Sequence, residues 1–446
     1  MNELLQPGQL VQSRSGHPCK VLKFLGGGGQ GEVYKAEWCG GEYALKWYYD
    51  NSATTDQRAA LETLISEGKP SEKFLWPEDL AEASGVQGFG YIMRLRPSQY
   101  KSLVDLVTGR IQPMFLSLIA AGLEFTRAFR LLHNKGLCYR DISFGNAFLD
   151  PDTGDVLICD NDNVAINRKS QGGLLGTPDF MAPEIVRMEA LPSNKTDLYS
   201  LAVLLFYIFH LGHPLVGKRV LNIRCWDLPA RNEVFGNKPV FIFDPDDDSN
   251  AALDLAHDPT GETGGTALIN WNIYPRFFRD TFIKAFTTGV REPDARVTEL
   301  EWLDTLANLR DSLFKCACGT PNFYDPEMIK ASGGQPAPCW SQSCRRVPKL
   351  PFRIRIGKAV VMLNADSRLY PHHMDDGRHF DFSKPVAEVV RHPTDPNVWG
   401  LKNVSGDKWV ATLPNGALKD VEQGRSVPLA TNTKINFGKV EGEIRY

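Results

Sequence analysis

Three oxygen-bearing side chains set between apolar segments constrain this chain more than anything else in it. The run Tyr139-Arg-Asp-Ile-Ser-Phe-Gly-Asn146 places Asp141 and Asn146 five residues apart in a loop. Fourteen residues further on, Val156-Leu-Ile-Cys-Asp160 reads as a buried strand that ends in a carboxylate. Asp and Asn favour turns for local reasons, so three ordinary turn residues would give the same pattern. Brought together, however, two carboxylates and an amide supply oxygen ligands for a divalent cation and a group that can orient a hydroxyl nucleophile. Residues 115–133, FLSLIAAGLEFTRAFRLLH, predict a long helix ahead of the loop, and a second apolar helix is expected from Thr196 to about Leu211.

Residues 1 to about 110 read as short strands with Gly-rich turns and one helix, with Thr54 and Thr55 as cap candidates and Leu61, Leu64 and Ile65 on its apolar side. One turn carries G-x-G-x-x-G-x-V through Gly26, Gly28, Gly31 and Val33. Glycines let backbone N–H groups approach phosphate oxygens, although a flexible turn looks the same. Fifteen residues after Gly31, Tyr43-Ala-Leu-Lys46 puts a lysine on the next strand. Its partner is expected on the following helix, with Glu62 preferred to Glu67; solvated side chains are the plain alternative for all three. Downstream come Gly176-Thr-Pro-Asp-Phe-Met-Ala-Pro-Glu184, Asp197 at the start of the apolar helix, and Arg296.

In this order the motifs resemble those of the protein-kinase family over roughly residues 10–312. The resemblance implies a two-lobed α+β domain at 1–312, with lobes at about 10–95 and 96–312. It implies an enzyme that moves the γ-phosphoryl group of ATP to a protein serine or threonine, with Mg²⁺ or Mn²⁺. By the same resemblance, Lys46 binds phosphates and pairs with Glu62, Asp141 accepts the substrate proton, and Asn146 and Asp160 hold the metal. Gly26, Gly28 and Gly31 cover the nucleotide; Val33, Ala44 and Met93 line its base; Glu184 and Arg296 form a structural bridge; Thr177 contacts Asp141. The departures are Tyr139 for histidine, Ser143 for lysine, and Asp160-Asn161-Asp162 for D-F-G. A Tyr139–Asn161 hydrogen bond is expected to replace the missing stacked pair. These departures keep a pseudokinase scaffold open as an alternative, and a small-molecule kinase is a second. Ser170, near Arg140, Arg168 and Lys169, is a candidate phosphorylation site.

Four of the nine cysteines, Cys316, Cys318, Cys339 and Cys344, bunch within 29 residues. Two close thiol pairs suit a structural Zn²⁺, and residues 313–350 resemble a zinc ribbon. Beyond 351 the pattern alternates, and Asn415-Gly416 predicts a hairpin in a small all-β domain. This tail, 351–446, resembles a forkhead-associated (FHA) domain through Ile354–Lys358, Ser383–Val389, Trp399–Asn403 and Ile435–Gly438; an SH3-like barrel or generic sandwich is the alternative. The resemblance implies docking of a phosphoprotein or other protein partner, with Lys358, Ser383, Lys384 and Asn403 where phosphothreonine would be read. The order of modules is similar to that of bacterial kinases of tellurite-resistance clusters.

Net charge of −3 carries no signature of nucleic-acid binding. The longest apolar run, Leu201–Leu211 interrupted by His210, is shorter than a membrane span. Scattered single cysteines fit a reducing compartment, so a cytoplasmic protein acting on protein partners, without membrane or nucleic acid, is expected.

Overall fold

The computed structural model describes residues 3–167, 176–395 and 397–446. They pack as two units, Met1–Leu268 with Phe282–Glu299, and Ile269–Thr281 with Leu300–Tyr446. Ser170, Arg168 and Lys169 lie outside the described residues.

The first unit opens with β1 (Leu10–Ser13), β2 (Pro18–Gly27), β3 (Gly31–Trp38) and β4 (Gly41–Tyr48), then α1 (Thr55–Glu67), β5 (Pro77–Glu82) and β6 (Gly90–Arg94). The strand order is β1-β2-β3-β4-β6-β5, and β1 returns to β5 through Gln12↔Glu82 and Ser13↔Ala81, which closes the sheet. Period-two alternation turns Val11, Val21, Tyr34, Leu45, Trp47 and Ile92 to one buried core. The opposite face buries Ala44, Tyr48, Tyr91 and Met93 with Leu61 of α1. Removing such a side chain from water stabilises by roughly 1.5–3 kcal/mol. Helix α1 begins where the Thr54 hydroxyl accepts the Gln57 N–H at 3.1 Å, the cap expected from the sequence.

After β7 (Lys101–Ser102) and α2 (Leu103–Val107), the long helix α3 runs Phe115–Asn134. Short strands follow: β8 (Leu137–Cys138), β9 (Ala147–Leu149), β10 (Val156–Ile158) and β11 (Ala165–Ile166). The pairings β10-β9-β7 and β11-β8 bring the loops after β8 and β10 side by side. The segment then passes through α4 (Pro183–Val186) into α5 (Asn194–His210). Every residue of α5 from Thr196 to Phe206 is buried, as an all-round apolar helix requires. Residues 217–270 read in sequence as a surface insertion; in fact Phe235, Phe241 and Ile242 enter the core, because aromatic and aliphatic residues among the polar turns have buried faces to meet.

In the second unit, β12 (Leu313–Lys315) and β13 (Pro321–Phe323) form a hairpin that carries the first cysteine pair. The tail strands are β14 (Arg353–Ile356), β15 (Ala359–Met362), β16 (Arg368–Leu369), β17 (Ala387–Arg391), β18 (Trp399–Asn403), β19 (Trp409–Thr412), β20 (Leu418–Val421), β21 (Ser426–Pro428), β22 (Lys434–Asn436) and β23 (Glu441–Arg445). They form one sheet of order β15-β14-β23-β22-β19-β20 and another of order β16-β17-β18-β21. Ile354, Trp409, Ile435 and Ile444 of the first share a core with Ala387, Leu401 and Val427 of the second. The tail is therefore a sandwich and not a closed SH3-like barrel. Asn415-Gly416 makes the expected turn between β19 and β20, with Gly416 at φ +82°.

Candidate active site

Lys46 sits on β4 with its side chain almost wholly buried. A buried ammonium is tolerated only with partners. Its Nζ donates to Asp162 Oδ2 at 2.9 Å and Oδ1 at 3.1 Å, to Gln30 Oε1 at 3.2 Å, and lies 3.6 Å from Asp160 Oδ1. Burial opposes the charge, but Asp162 and Asp160 outweigh it and hold the Lys46 pKa above its ordinary value. The expected Lys46–Glu62 pair is absent. Glu62 is partly exposed and its carboxylate pairs with Arg14 at 2.8 Å and with Arg58 at 3.7 Å. Glu67 is exposed as well. The reason lies in which face of α1 turns inward: Gln57, in the first turn, donates to Tyr48 Oη at 3.1 Å and to the Asp162 carbonyl at 3.4 Å.

Gln30 belongs to the Gly-rich turn, which Gly28 N–H closes onto Gly31 carbonyl at 2.9 Å. At Gly31 a Cβ would fall 2.1 Å from the Trp47 carbonyl oxygen, so only glycine allows β3 to approach β4 there; Gly26 and Gly28 face open space. Val33, Ala44 and Met93 join one apolar cluster with Phe148 and Leu157.

The loop after β8 is fixed by α5. Buried Asp197 accepts the backbone N–H groups of Tyr139 at 2.5 Å and Arg140 at 3.1 Å. His133 of α3 bridges Asp197 at 3.1 Å and Glu299 at 2.5 Å. Burial opposes its charge, but the two carboxylates push the His133 pKa up from 6.5 to about 9. A folded-state pKa above the unfolded value gives stability that is complete below pH ~6.5 and lost as pH rises through ~9, here about 3 kcal/mol at most. Thermal melts of wild type and His133→Gln are expected to differ strongly at pH 6 and to converge by pH ~9.5; a gap that ignores pH would contradict this.

Within that loop, Asp141 Oδ2 accepts Asn146 Nδ2 at 3.2 Å, and Asp141 Oδ1 accepts the Thr177 hydroxyl at 2.9 Å. Gly176 makes the approach possible, at φ +113° and with any Cβ only 2.7 Å from the Arg140 carbonyl oxygen. Since Asn146 Nδ2 also donates to the Asp141 carbonyl at 2.9 Å, its Oδ1 is left as an acceptor. Asp160, in left-handed backbone at φ +50°, keeps 40% of its side chain exposed beside Lys46. Burial, together with Asp162 and Asp141, raises its pKa against the pull of Lys46. A half-buried carboxylate crowded by two others fits a hard divalent cation, for which the Asn146 amide oxygen is a further candidate ligand.

Tyr139 and Asn161 do not pair. The Tyr139 hydroxyl donates to the Cys159 carbonyl while its ring meets Phe129 edge-on at 5.7 Å. Asn161 donates to the carbonyls of Leu75 at 2.8 Å and Ile158 at 3.0 Å. Three backbone carbonyls close at hand take up the Tyr139 hydroxyl and the Asn161 amide N–H groups separately, while the buried Asn161 Oδ1 has no partner among the described residues. Glu184 and Arg296 form the expected bridge, with two contacts at 2.8 Å. Sequence reading missed Asp162 as a partner of Lys46, along with Gln30, Tyr48 and Tyr91; a carboxylate in place of glycine at 162 was the available signal.

In the second unit the Sγ atoms of Cys316, Cys318, Cys339 and Cys344 all lie within 4.8 Å of one another. The Cys316–Cys344 and Cys318–Cys339 separations are each 3.8 Å. A tetrahedron with Zn–S of about 2.3 Å has edges of about 3.8 Å, so the donor set fits. Hydrogen bonding with Thr320 brings the Cys318 pKa down to about 6. Asp311, His372 and His373 also cluster. There both rings accept backbone N–H on Nδ1, from Phe380 at 3.0 Å and Tyr370 at 2.9 Å, which leaves Nε2 protonated and unable to ligate. In the tail, Asn403 is fully buried and donates to the Asp407 and Val421 carbonyls, and Ser383 donates to Asp381 at 2.6 Å. Neither is free to read a phosphate; Lys358 and Lys384 are exposed.

Residues 19–234 match the protein kinase domain family. Over 221 residues the chain is 29% identical to the DNA damage-responsive serine/threonine-protein kinase RqkA of Deinococcus radiodurans, covering 48% of this chain and 32% of that protein. It is 38% identical over 99 residues to a putative protein kinase C delta type homolog of Drosophila melanogaster, covering 22% and 14%. It is 28% identical over 207 residues to the probable serine/threonine-protein kinase SIS8 of Arabidopsis thaliana, covering 44% and 19%. The chain spans about a third or less of the length of these curated relatives.

Proposed function

We propose that this chain is an ATP-dependent protein serine/threonine kinase. The observation that carries the reading is the convergence of Lys46, Asp160, Asp141 and Asn146, with Thr177 bonded to Asp141. Lys46 would hold the nucleotide phosphates as a point charge. The Asp141 carboxylate, oriented by Asn146 and Thr177, would take the proton of the attacking hydroxyl. Asp160 and the Asn146 amide oxygen would hold Mg²⁺ or Mn²⁺, which when bound neutralises charge on the phosphates. The Gly176–Glu184 segment, bridged to Arg296, favours a protein over a small-molecule acceptor. The test is incubation of the full chain with Mg²⁺, γ-labelled ATP and a generic protein substrate. Labelled phosphoserine or phosphothreonine is expected; incorporation no greater than that of Lys46→Met would end the reading.

A pseudokinase scaffold is favoured by one observation, Ser143, which removes a cation from beside Asp141. The same incubation decides between the two. The four cysteines we assign to a structural Zn²⁺. The β-sandwich supports an FHA-like tail that docks a protein partner, and the engagement of Asn403 and Ser383 favours docking that does not depend on phosphate. A reducing, cytoplasmic setting accords with the free thiols.

A further inference from the structure

Asp162 has no exposed side-chain surface. Four hydrogen bonds converge on its carboxylate: two from Lys46, one from Tyr48 Oη at 2.5 Å and one from Tyr91 Oη at 3.1 Å. A carboxylate accepts about four hydrogen bonds and donates none, so this set of donors fits it and excludes an amide, whose NH₂ would face another donor. Burial and the neighbouring carboxylate raise the pKa of both tyrosines well above the ordinary value, which keeps them protonated as donors. Burial opposes the Asp162 charge, but Lys46 and the hydroxyls outweigh it and hold the pKa low.

We propose that Asp162 is the positioning residue for Lys46, in the place where Glu62 was expected. This rests on the kinase reading. Asp160 and Asp162 flank Asn161 in one short turn, and Asn161 is tied to the Leu75 and Ile158 carbonyls. One rigid turn thus sets both the phosphate-binding lysine and the metal-binding carboxylate. Helix α1 contributes only Gln57, a neutral contact to the same turn. The orientation of Lys46 is therefore independent of any acid on α1.

The test is a double-mutant cycle on the full chain: wild type, Asp162→Asn, Lys46→Met and the double variant, with Glu62→Gln alongside. Transfer rate and Mg-ATP dissociation constant are both measured. If Asp162 acts through Lys46, Asp162→Asn lowers kcat by about 10²-fold and adds no loss once Lys46 is methionine, and Glu62→Gln stays within about threefold of wild type. A purely structural role would multiply the two losses. Multiplied losses, an Asp162→Asn rate near wild type, or a Glu62→Gln loss of about 10²-fold would each overturn the proposal. The last outcome stands even if Asp162→Asn fails to fold. Should wild type transfer no phosphate, the kinase reading fails by itself; the cycle is then read in Mg-ATP affinity, where non-additive losses uphold the Asp162–Lys46 unit and additive losses refute it.

Discussion

Asp141→Asn is expected to lower kcat by about 10²–10⁴-fold while leaving the melting temperature within a few degrees of wild type. The substitution keeps the size of the side chain and removes the one property on which the proposed step depends, the capacity to accept a proton. Asn146 and Thr177 already fill one acceptor site on each oxygen of Asp141. They orient the group and leave each oxygen a further acceptor site for the substrate hydroxyl, because a carboxylate has acceptor capacity to spare. Loss should appear in kcat with KM for Mg-ATP little changed, since Lys46 and Asp160 are untouched. A variant with more than a third of wild-type kcat would remove Asp141 from the chemistry.

Removal of metal should produce the largest effect on folding. Each chain is expected to bind one Zn²⁺ at Cys316, Cys318, Cys339 and Cys344, and chelation should abolish hydrogen-exchange protection over residues 314–350. The hairpin there is short, and the sulfurs at its tip, Cys316 and Cys318, lie within 4 Å of those of Cys344 and Cys339 on the segment that follows. Structural zinc contributes on the order of 10 kcal/mol to such small modules, far more than a few buried side chains. Residues 19–234 should keep their protection. Purified chain with no stoichiometric zinc and four freely alkylated thiols would refute the assignment.

Much of the first unit could be read from the sequence because its signals are local. The Thr54 cap and the apolar run that becomes α5 each depend on neighbours a few residues away. Asp141, Asn146, Asp160 and the Glu184–Arg296 bridge followed from spacing within a familiar order of motifs. Glu62 failed because helical periodicity leaves open which side of α1 faces the lysine, and the choice is made by Gln57, Tyr48 and Asp162 over separations of 105 and 114 residues. Asp162 itself looked like a departure, since only the folded chain shows three donors surrounding it. Asn403 failed for a related reason: an Asn at a strand end reads as a surface ligand until its amide is seen closing a turn inside the sandwich.

The tail sandwich also dictates a timetable. Strand β14 pairs on one side with β15, three residues away, but on the other with β23, where Arg353 meets Arg445. About 90 residues of chain separate them, which at roughly 5–20 residues per second is on the order of 5–20 s of synthesis. Through that interval one edge of β14 stands open and Ile354 and Ile356 lack their cover, the state in which a strand adds to the wrong neighbour. Arg353 and Arg355 alternate with those isoleucines along the waiting edge. Charged side chains on an unpaired strand oppose wrong pairing, and these two are in place until β23 emerges to close the sheet.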